Sequence, residues 1–454
     1  MKKTFFVLLI VCNILLLRMN VYADNYVVKL KTNHVPSSLM EILTELNEDH
    51  RLYTSEKLED LSGYAEFIEY IEENSEIHIN DSIEEIGFST DVMLMSAKDT
   101  YYSQQWQIGN IKANYAWDVL TYGNEVNVAV IDSGCYAHKD LGDVIKAGYN
   151  TMSGGNSSDY EDTLGHGTIV AGTIAAQHNM IGTRGISPKV NLYPIKVTVT
   201  GQNIRLADVA AAIYKAIDDY NCKVINLSLG GYADNTFLRE AVNYAYRKNT
   251  IVVAAAGNYG NTSNGTKPLY PAGYDGAISV ACVDKNNKRW EKSQRVSSVE
   301  ISAPGYNCYG PYINEKYATS TGTSLAAPMV SAAAAIMLSA KPDMTVEEFR
   351  SYLKTYAIPL KDDYTGAGLL NIEAMLKALI DNEEFYISPR NDTSVYVQNN
   401  SSQILYTGFY TDYSGVKFMR IGGKSEIILD YVTKGGKMFL WSQNLRPLKK
   451  PQEY

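Results

Sequence analysis

The stretch Gly322–Leu338 constrains the fold of this chain more than any other. It reads Gly-Thr-Ser-Leu-Ala-Ala-Pro-Met-Val-Ser-Ala-Ala-Ala-Ala-Ile-Met-Leu, a helix with almost no side chains. A helix apolar all round must be buried on every side, and small residues let it lie close against its neighbours. Pro328 is tolerated near the first turn, but its missing N–H leaves the Ser324 carbonyl without a helical partner. Ser324 stands at the positive end of the helix dipole with its backbone N–H pointing outward. That suits a nucleophile whose attack creates an oxyanion. Taken alone, the same stretch also describes a buried Ala-rich helix capped by a serine.

What surrounds that helix is an alternation of apolar strands and helices. Gly123–Gly134 is an apolar run ending in Asp132-Ser-Gly, and Asp162–Ala176 carries a Gly-flanked His166 into a helix. Strands are expected at 190–197, 223–231, 250–258 and 277–282, with helices at 206–220 and 236–248 between them. This order predicts an α/β domain with a parallel, doubly covered sheet. Active residues then belong at the C-terminal ends of strands, where Asp132, Ser228–Gly231 and Asn258 fall.

At 454 residues the chain is too long for one ordinary domain. Residues 1–23 pair a basic start with an apolar run interrupted by Asn13, and Val21 and Ala23 fit a signal-peptidase site. The run is too short to anchor, so export with cleavage after Ala23 and no transmembrane anchor is expected. Residues 24–98 hold 5 Lys and Arg against 17 Asp and Glu, while residues 99–454 are neutral. No basic patch points to nucleic acid. Within the acidic segment, strands are expected at 26–31 and 67–71 and a helix at 39–46. This small α+β unit would end near Asn80, followed by a linker to Lys98. Helices are expected at 345–353 and 371–379. After Asp381 the strand patterns at 394–398, 403–410 and 426–432 form a small β unit, with structural packing favoured over carbohydrate binding.

An Asp at a strand end, a His opening one helix and a Ser opening another are the parts of a nucleophilic triad. The histidine takes the serine proton, and a buried carboxylate fixes the ring and stabilises the imidazolium. Asn258 offers a side-chain N–H and Ser324 a backbone N–H, the two donors an oxyanion needs. The order Asp, His, Ser is one of three known for such triads, and it is not that of an α/β-hydrolase.

Val-Ile-Asp132-Ser-Gly, Gly-His166-Gly-Thr-x-Val-Ala-Gly, Ala-Ala-Gly-Asn258 and Gly-Thr-Ser324-x-Ala-x-Pro resemble the motifs of the subtilisin-like serine proteases, or subtilases. The likeness runs from about Asp99 to Ala378. It implies a secreted, monomeric endopeptidase acting on proteins or peptides. It implies four segments: a signal peptide (1–23), a propeptide (24–98), a catalytic domain (99–380) and a C-terminal β extension (381–454). The propeptide would assist folding, inhibit in cis and be removed autocatalytically between Ile79 and Tyr101. Ser228, Leu229, Gly230 and Gly231 would be an edge on which substrate lies as an added strand. Ala255, Ala256 and Gly257 would wall the pocket for the residue before the scissile bond. Leu269 would floor that pocket and favour small or medium apolar residues over Phe and Tyr. A structural Ca²⁺ site is implied at Asp140 and the loop carrying Gln177, Asn179, Ile181 and Thr183, with Asp99 or Gln104 as a further ligand. His34, His50, His138 and His178 read as solvated loop residues. Cys135, Cys222, Cys282 and Cys308 could pair or stay free. Two other functions share the pattern: an idle binding protein, and a narrow-specificity protease maturing one exported partner.

Overall fold

A computed structural model describes residues 26–47, 49–85, 99–118, 123–152 and 156–382, together with seven strands between 385 and 453. The expected signal peptide and the segment 86–98 lie outside the described residues.

The first strand already shows two cores. In β1 (Tyr26–Leu30) side chains alternate in direction. Val28 and Leu30 face Leu39, Tyr53, Leu61 and Ile68, whereas Val27 faces the large domain. A one-turn helix α1 (Ser37–Met40) follows, then β2 (Thr44–Asn47), β3 (Leu52–Ser55) and β4 (Ile68–Glu73). The antiparallel order is β2-β3-β1-β4. The helix expected over 39–46 is therefore only its first turn. A helix this short is marginal in water, whereas Thr44–Asn47 finds backbone partners on β3.

Two short strands leave this unit, β5 (Glu76–Ile77) and β6 (Ser82–Glu85). Residues 82–85 were expected in a linker but pair with a strand of the large domain. That domain opens with the short helices α2 (Trp106–Asn110) and α3 (Asn114–Asp118), followed by β7 (Asn127–Asp132), β8 (Tyr149–Asn150), α4 (His166–Ala175), β9 (Asn191–Lys196) and β10 (Ile204–Arg205). Then come α5 (Leu206–Asp218), β11 (Val224–Leu227), α6 (Thr236–Arg247), β12 (Ile251–Ala255), β13 (Ala277–Val283), β14 (Val299–Pro304), β15 (Cys308–Tyr312) and β16 (Lys316–Thr321). Three helices, α7 (Thr323–Ala340), α8 (Val346–Tyr356) and α9 (Ile372–Asn382), complete it.

The central sheet is parallel throughout, in the order β14-β13-β12-β11-β7-β9-β8. Its strands read as unbroken apolar runs because both faces are covered. In β7, Val128 and Val130 join the core of α4 and α7, while Ala129 and Ile131 join that of α5 and α6. The Ala-rich α7 is buried from Thr323 to Leu338 between the sheet and α4. Among the described residues it is the one helix long and apolar enough to cross a membrane, and here it is the core of the domain.

The small unit seats on α5 and α6 by completing their ends. Glu72 Oε2 accepts the N–H of Thr236 at 2.7 Å, and Asn74 Oδ1 that of Ala207 at 3.1 Å. Each satisfies an N-terminal donor that a helix cannot satisfy itself. Cys135, Cys222, Cys282 and Cys308 are all buried and free. Beyond α9, β17 (Phe385–Asn391), β18 (Ser394–Asn399), β19 (Leu405–Thr411), β20 (Gly415–Ile421), β21 (Ser425–Asp430), β22 (Lys437–Ser442) and β23 (Gln452–Glu453) form two antiparallel sheets. Each of the three strands expected there falls on one of them.

Candidate active site

The parallel sheet delivers its strand ends to one edge of the domain, and the polar residues gather there. Asp132, the last residue of β7, is wholly buried. Its Oδ1 accepts the Ser133 N–H and the Nδ1–H of His166, both at 2.7 Å. His166 begins α4, whose entry is set by Asp162. The Asp162 carboxylate accepts the N–H groups of Leu164, Gly165 and Thr168 at 2.9 Å each, and the Thr168 hydroxyl at 2.6 Å. Its Oδ1 also accepts Ser133 Oγ at 2.9 Å, and Ser133 Oγ in turn accepts the Gly167 N–H. The aspartate strand and the histidine helix are thus tied together through one buried carboxylate. Glycine is required at 167, since a Cβ there would lie 2.1 Å from the Gly134 carbonyl oxygen.

Ser324 lies in the first turn of α7. Its carbonyl, freed by Pro328, accepts Ser228 Oγ at 2.7 Å, completing the bond the helix lacks. Ser228 Oγ is held by Asn226, whose other side-chain atom accepts Ser331 Oγ. Asn258 follows β12 and is aimed by Thr323. The Thr323 N–H and hydroxyl donate to Asn258 Oδ1 at 2.9 and 2.8 Å, leaving Nδ2 to point into the cleft.

Residues 76–85 run through this cleft. His78 and Gly230 exchange backbone bonds at 3.3 Å, the Ile79 N–H donates to Gly201 O at 2.8 Å, and β5 pairs antiparallel with β10. Further on, β6 pairs antiparallel with β16. Where the two meet, Asn258 Nδ2 donates to the Asn80 carbonyl and to Asp81 Oδ1, each at 2.7 Å. Asp81 Oδ2 faces His166 Nε2 at 3.4 Å, and Ser324 Oγ donates to the Ser228 carbonyl at 3.0 Å. Burial alone would lower the pKa of His166. Asp132 foremost, and then Asp81, overcome it and raise the imidazole to about 10.

A buried Asp–His pair, a serine at a helix start and an amide donor, all at the ends of parallel strands, fit hydrolysis by a serine nucleophile. Residues 123–385 match the model of the subtilase family. The chain belongs to the subtilase family. It is 40% identical over 254 residues to subtilisin DY of Bacillus licheniformis, covering 56% of this chain and 91% of that one. It is 32% identical over 369 residues to an alkaline protease of Alkalihalobacillus alcalophilus, covering 74% and 94%. Among solved structures, a protease of Pseudoalteromonas arctica matches with a TM-score of 0.57 at 29% identity, covering 63% of this chain and all of that one. This subtilase is a serine endopeptidase.

The other expected positions divide. Gly230 pairs with the threaded segment, Gly231 pairs with Tyr270, and Leu229, Ala255, Gly257 and Leu269 line a pocket beside Asn80. Ala256 does not face that pocket. It packs with Ala281, Val296 and Val299, because successive residues along a strand point to opposite faces. His138 is buried rather than solvated: its Nδ1 accepts the Asp140 N–H, and Nε2 meets the Lys316 carbonyl at 3.0 Å.

In the expected calcium region, Asp140 is buried and Thr183 donates to its Oδ2 through both N–H and hydroxyl at 2.8 Å. The Gln177 N–H donates to the Asp140 carbonyl at 2.6 Å, and Asn179 Oδ1 accepts the Ile181 N–H. Asp140 Oδ1 has no hydrogen-bond partner, and burial lifts this carboxyl to about 7. Asp99 receives the N–H groups of Asn179 and Met180 and pairs with Arg184. Among the described residues no three acidic, His or Cys side chains cluster, so a cation here would rely on amide and carbonyl oxygens.

Sequence reasoning missed Asp162, Thr323 and Asp81. An acid just ahead of a predicted helix start is a capping signal, so Asp162 could have been found. Thr323 and Asp81 carry no such mark.

Proposed function

We propose that this subtilase is exported as a pre-proenzyme, with a signal peptide (1–23), a propeptide (24–98), a catalytic domain (99–380) and a β extension (381–454). Ser324 attacks the scissile carbonyl, His166 carries its proton to the leaving amine, and Asp132 orients His166. Asn258 Nδ2 and the Ser324 N–H receive the oxyanion. Substrate lies along Ser228–Gly231 as an added strand, with Ala255, Gly257 and Leu269 around the side chain before the cut. Residues 24–98 inhibit in cis until removed. The observation that carries this reading is the fully buried 2.7 Å contact between His166 Nδ1 and Asp132 Oδ1, with Asp81 linking the same ring to Asn258.

Calcium is part of the same reading. The Oδ1 of buried Asp140, which has no hydrogen-bond partner, is a hard oxygen of the kind Ca²⁺ prefers. Asp140, the Asn179 side chain and the carbonyls of Gln177, Ile181 and Thr183 would hold Ca²⁺, whose charge would fix this loop to the domain.

Intact-mass spectrometry after exposure to a fluorophosphonate tests the catalytic assignment. Wild type should be shortened at its N-terminus and labelled on Ser324, while folded Ser324→Ala remains full length and unlabelled. A wild type that folds yet neither shortens nor labels, even after trypsin removes residues 24–98, overturns it.

A further inference from the structure

The helix that carries His166 is seated on a strand outside the central sheet. Three successive residues of β15 fit against α4 or its entry, each where a side chain is missing. A Cβ on Gly310 would lie 2.6 Å from Ile169 Cγ1, one on Gly172 2.1 Å from Pro311 Cδ, and one on Gly165 1.9 Å from Tyr312 Cε2. Contacts this close leave α4 little freedom to slide on β15.

Tyr312, the last residue of β15, holds the turn through which that helix begins. Gly165 caps the helix in the left-handed region, at φ 92°. The first N–H groups of a helix find no partner within it, so outside groups decide where it starts. Asp162 takes the N–H groups of Leu164 and Gly165, and Tyr312 takes the carbonyl. Its Oη donates to Leu164 O at 2.9 Å, and its ring fills the place of a Gly165 side chain. Burial, followed by the carboxylates of Glu85 and Asp162, raises the phenol pKa against Lys316, so the hydroxyl stays a donor at neutral pH. The same strand leads to the nucleophile. β15 pairs antiparallel with β16, Tyr312 opposite Lys316, and β16 is followed directly by Gly322 and α7. One hairpin therefore joins the histidine turn to the serine turn.

We propose that Tyr312 is a positioning residue of the reaction: by fixing the Leu164–Gly165 turn from the β15–β16 hairpin, it sets the distance between His166 and Ser324. This rests on the roles assigned above to His166 and Ser324. Asp132 orients the imidazole, and Tyr312 places the backbone that carries it. Transfer of the serine proton depends steeply on that distance, and a displacement of about 1 Å costs the rate roughly 10². Loss of the Oη bond alone permits a smaller drift, because Asp162 and the ring against Gly165 remain.

The experiment compares wild type, Tyr312→Phe and Tyr312→Leu, each freed of residues 24–98, on a peptide p-nitroanilide. Such a substrate has no residues beyond the scissile bond, which removes any contact between Tyr312 and the downstream side of a substrate. Active sites are counted by the fluorophosphonate bound at completion, and kcat is expressed per labelled Ser324. Tyr312→Phe keeps the ring and loses the bond to Leu164. It should lower kcat about fivefold with KM within about twofold of wild type. Tyr312→Leu loses the ring as well and should lower kcat about thirtyfold or more. A tyrosine that only stabilises the hairpin would lower the Tm and the number of labelled sites while kcat per site stays within about twofold. That result overturns the proposal, and so does a loss carried by KM alone. Should Tyr312→Leu fail to fold, Tyr312→Phe decides. If wild type labels on Ser324 and Tyr312→Phe keeps its kcat, this proposal alone fails. If wild type does not label, the catalytic assignment fails with it.

Discussion

Two buried aspartates reach the His166 ring, Asp132 from the end of β7 and Asp81 from the threaded segment. Both side chains are fully removed from solvent. Asp132 takes the Nδ1–H at 2.7 Å, which in the proposed mechanism leaves Nε2 to receive the serine proton. Asp81 sits at Nε2 itself, at 3.4 Å, and also takes the Nδ2–H of Asn258. In this arrangement Ser324 Oγ turns to the Ser228 carbonyl, and among the described residues no Ser324–His166 hydrogen bond is made. Under the proposed mechanism the same ion-pair chemistry prepares the base at one nitrogen and occupies it at the other. The comparison breaks most visibly at Asp132. Asp132→Asn should lower kcat on a peptide substrate by about 10⁴, since an amide cannot fix the productive tautomer. Circular dichroism should stay unchanged. A loss below tenfold in the folded variant would mean that Asp132 is not the orienting group.

Asp81 should act in the opposite direction. With its pKa raised to about 10, His166 holds a proton at neutral pH and cannot accept one from Ser324. Self-cleavage in the full-length chain should therefore quicken as pH rises towards that value. Asp81→Asn removes a charge that favours the imidazolium, whereas Asp132, the larger contributor, remains. The midpoint of processing against pH should move down, with self-cleavage at pH 7 faster by roughly tenfold, the factor for one unit of pKa. The processed enzyme should keep its wild-type kcat. An unmoved midpoint, measured by stopped-time gel densitometry from pH 5 to 11, would remove Asp81 from this role.

The difference between these two carboxylates also marks how far the sequence can be read. Asp132 was legible because β7 is a run of Val, Ala and Ile buried on both faces, and a polar residue ending such a run stands out. Ser324 was legible for a similar reason, through the Ala-rich helix behind it. Asp81 lies in Ile-Asn-Asp-Ser-Ile-Glu-Glu, where only the isoleucines are apolar and neither strand nor helix period exists. The strand that follows it, β6, forms only because β16 presents an edge to it, and the Asp81 carboxylate is buried only because the chain is threaded. Such a conformation is imposed by contacts distant in sequence, to which local patterning is blind. The 39–46 segment failed likewise: β3 decides its conformation, against a weak helical preference. Ala256 was misplaced because a motif names neighbours without saying which face each side chain takes.

Asp140 is another buried carboxylate, and it lacks the imidazole that Asp132 and Asp81 meet. Asp132 and Asp81 share the charge of His166, whereas Asp140 Oδ1 has no partner and burial raises its pKa to about 7. The sign of the effect on stability follows. A carboxyl whose folded pKa exceeds its unfolded value near 3.8 favours the native state at low pH, and this contribution is lost as pH rises to about 7. Without a cation the loss amounts to at most about 4 kcal/mol. Ca²⁺ binding to the ionised group should reverse it, more at pH 8 than at pH 5. Differential scanning calorimetry on Ser324→Ala, which cannot digest itself, gives the test. In chelator the Tm should fall between pH 5 and pH 8, by several degrees, and calcium should restore most of the fall. Asp140→Asn should abolish both the slope and the response to calcium. An equal Tm with calcium and with chelator at pH 8 would leave Asp140 as an ordinary buried acid held by Thr183 and assign no metal to this loop.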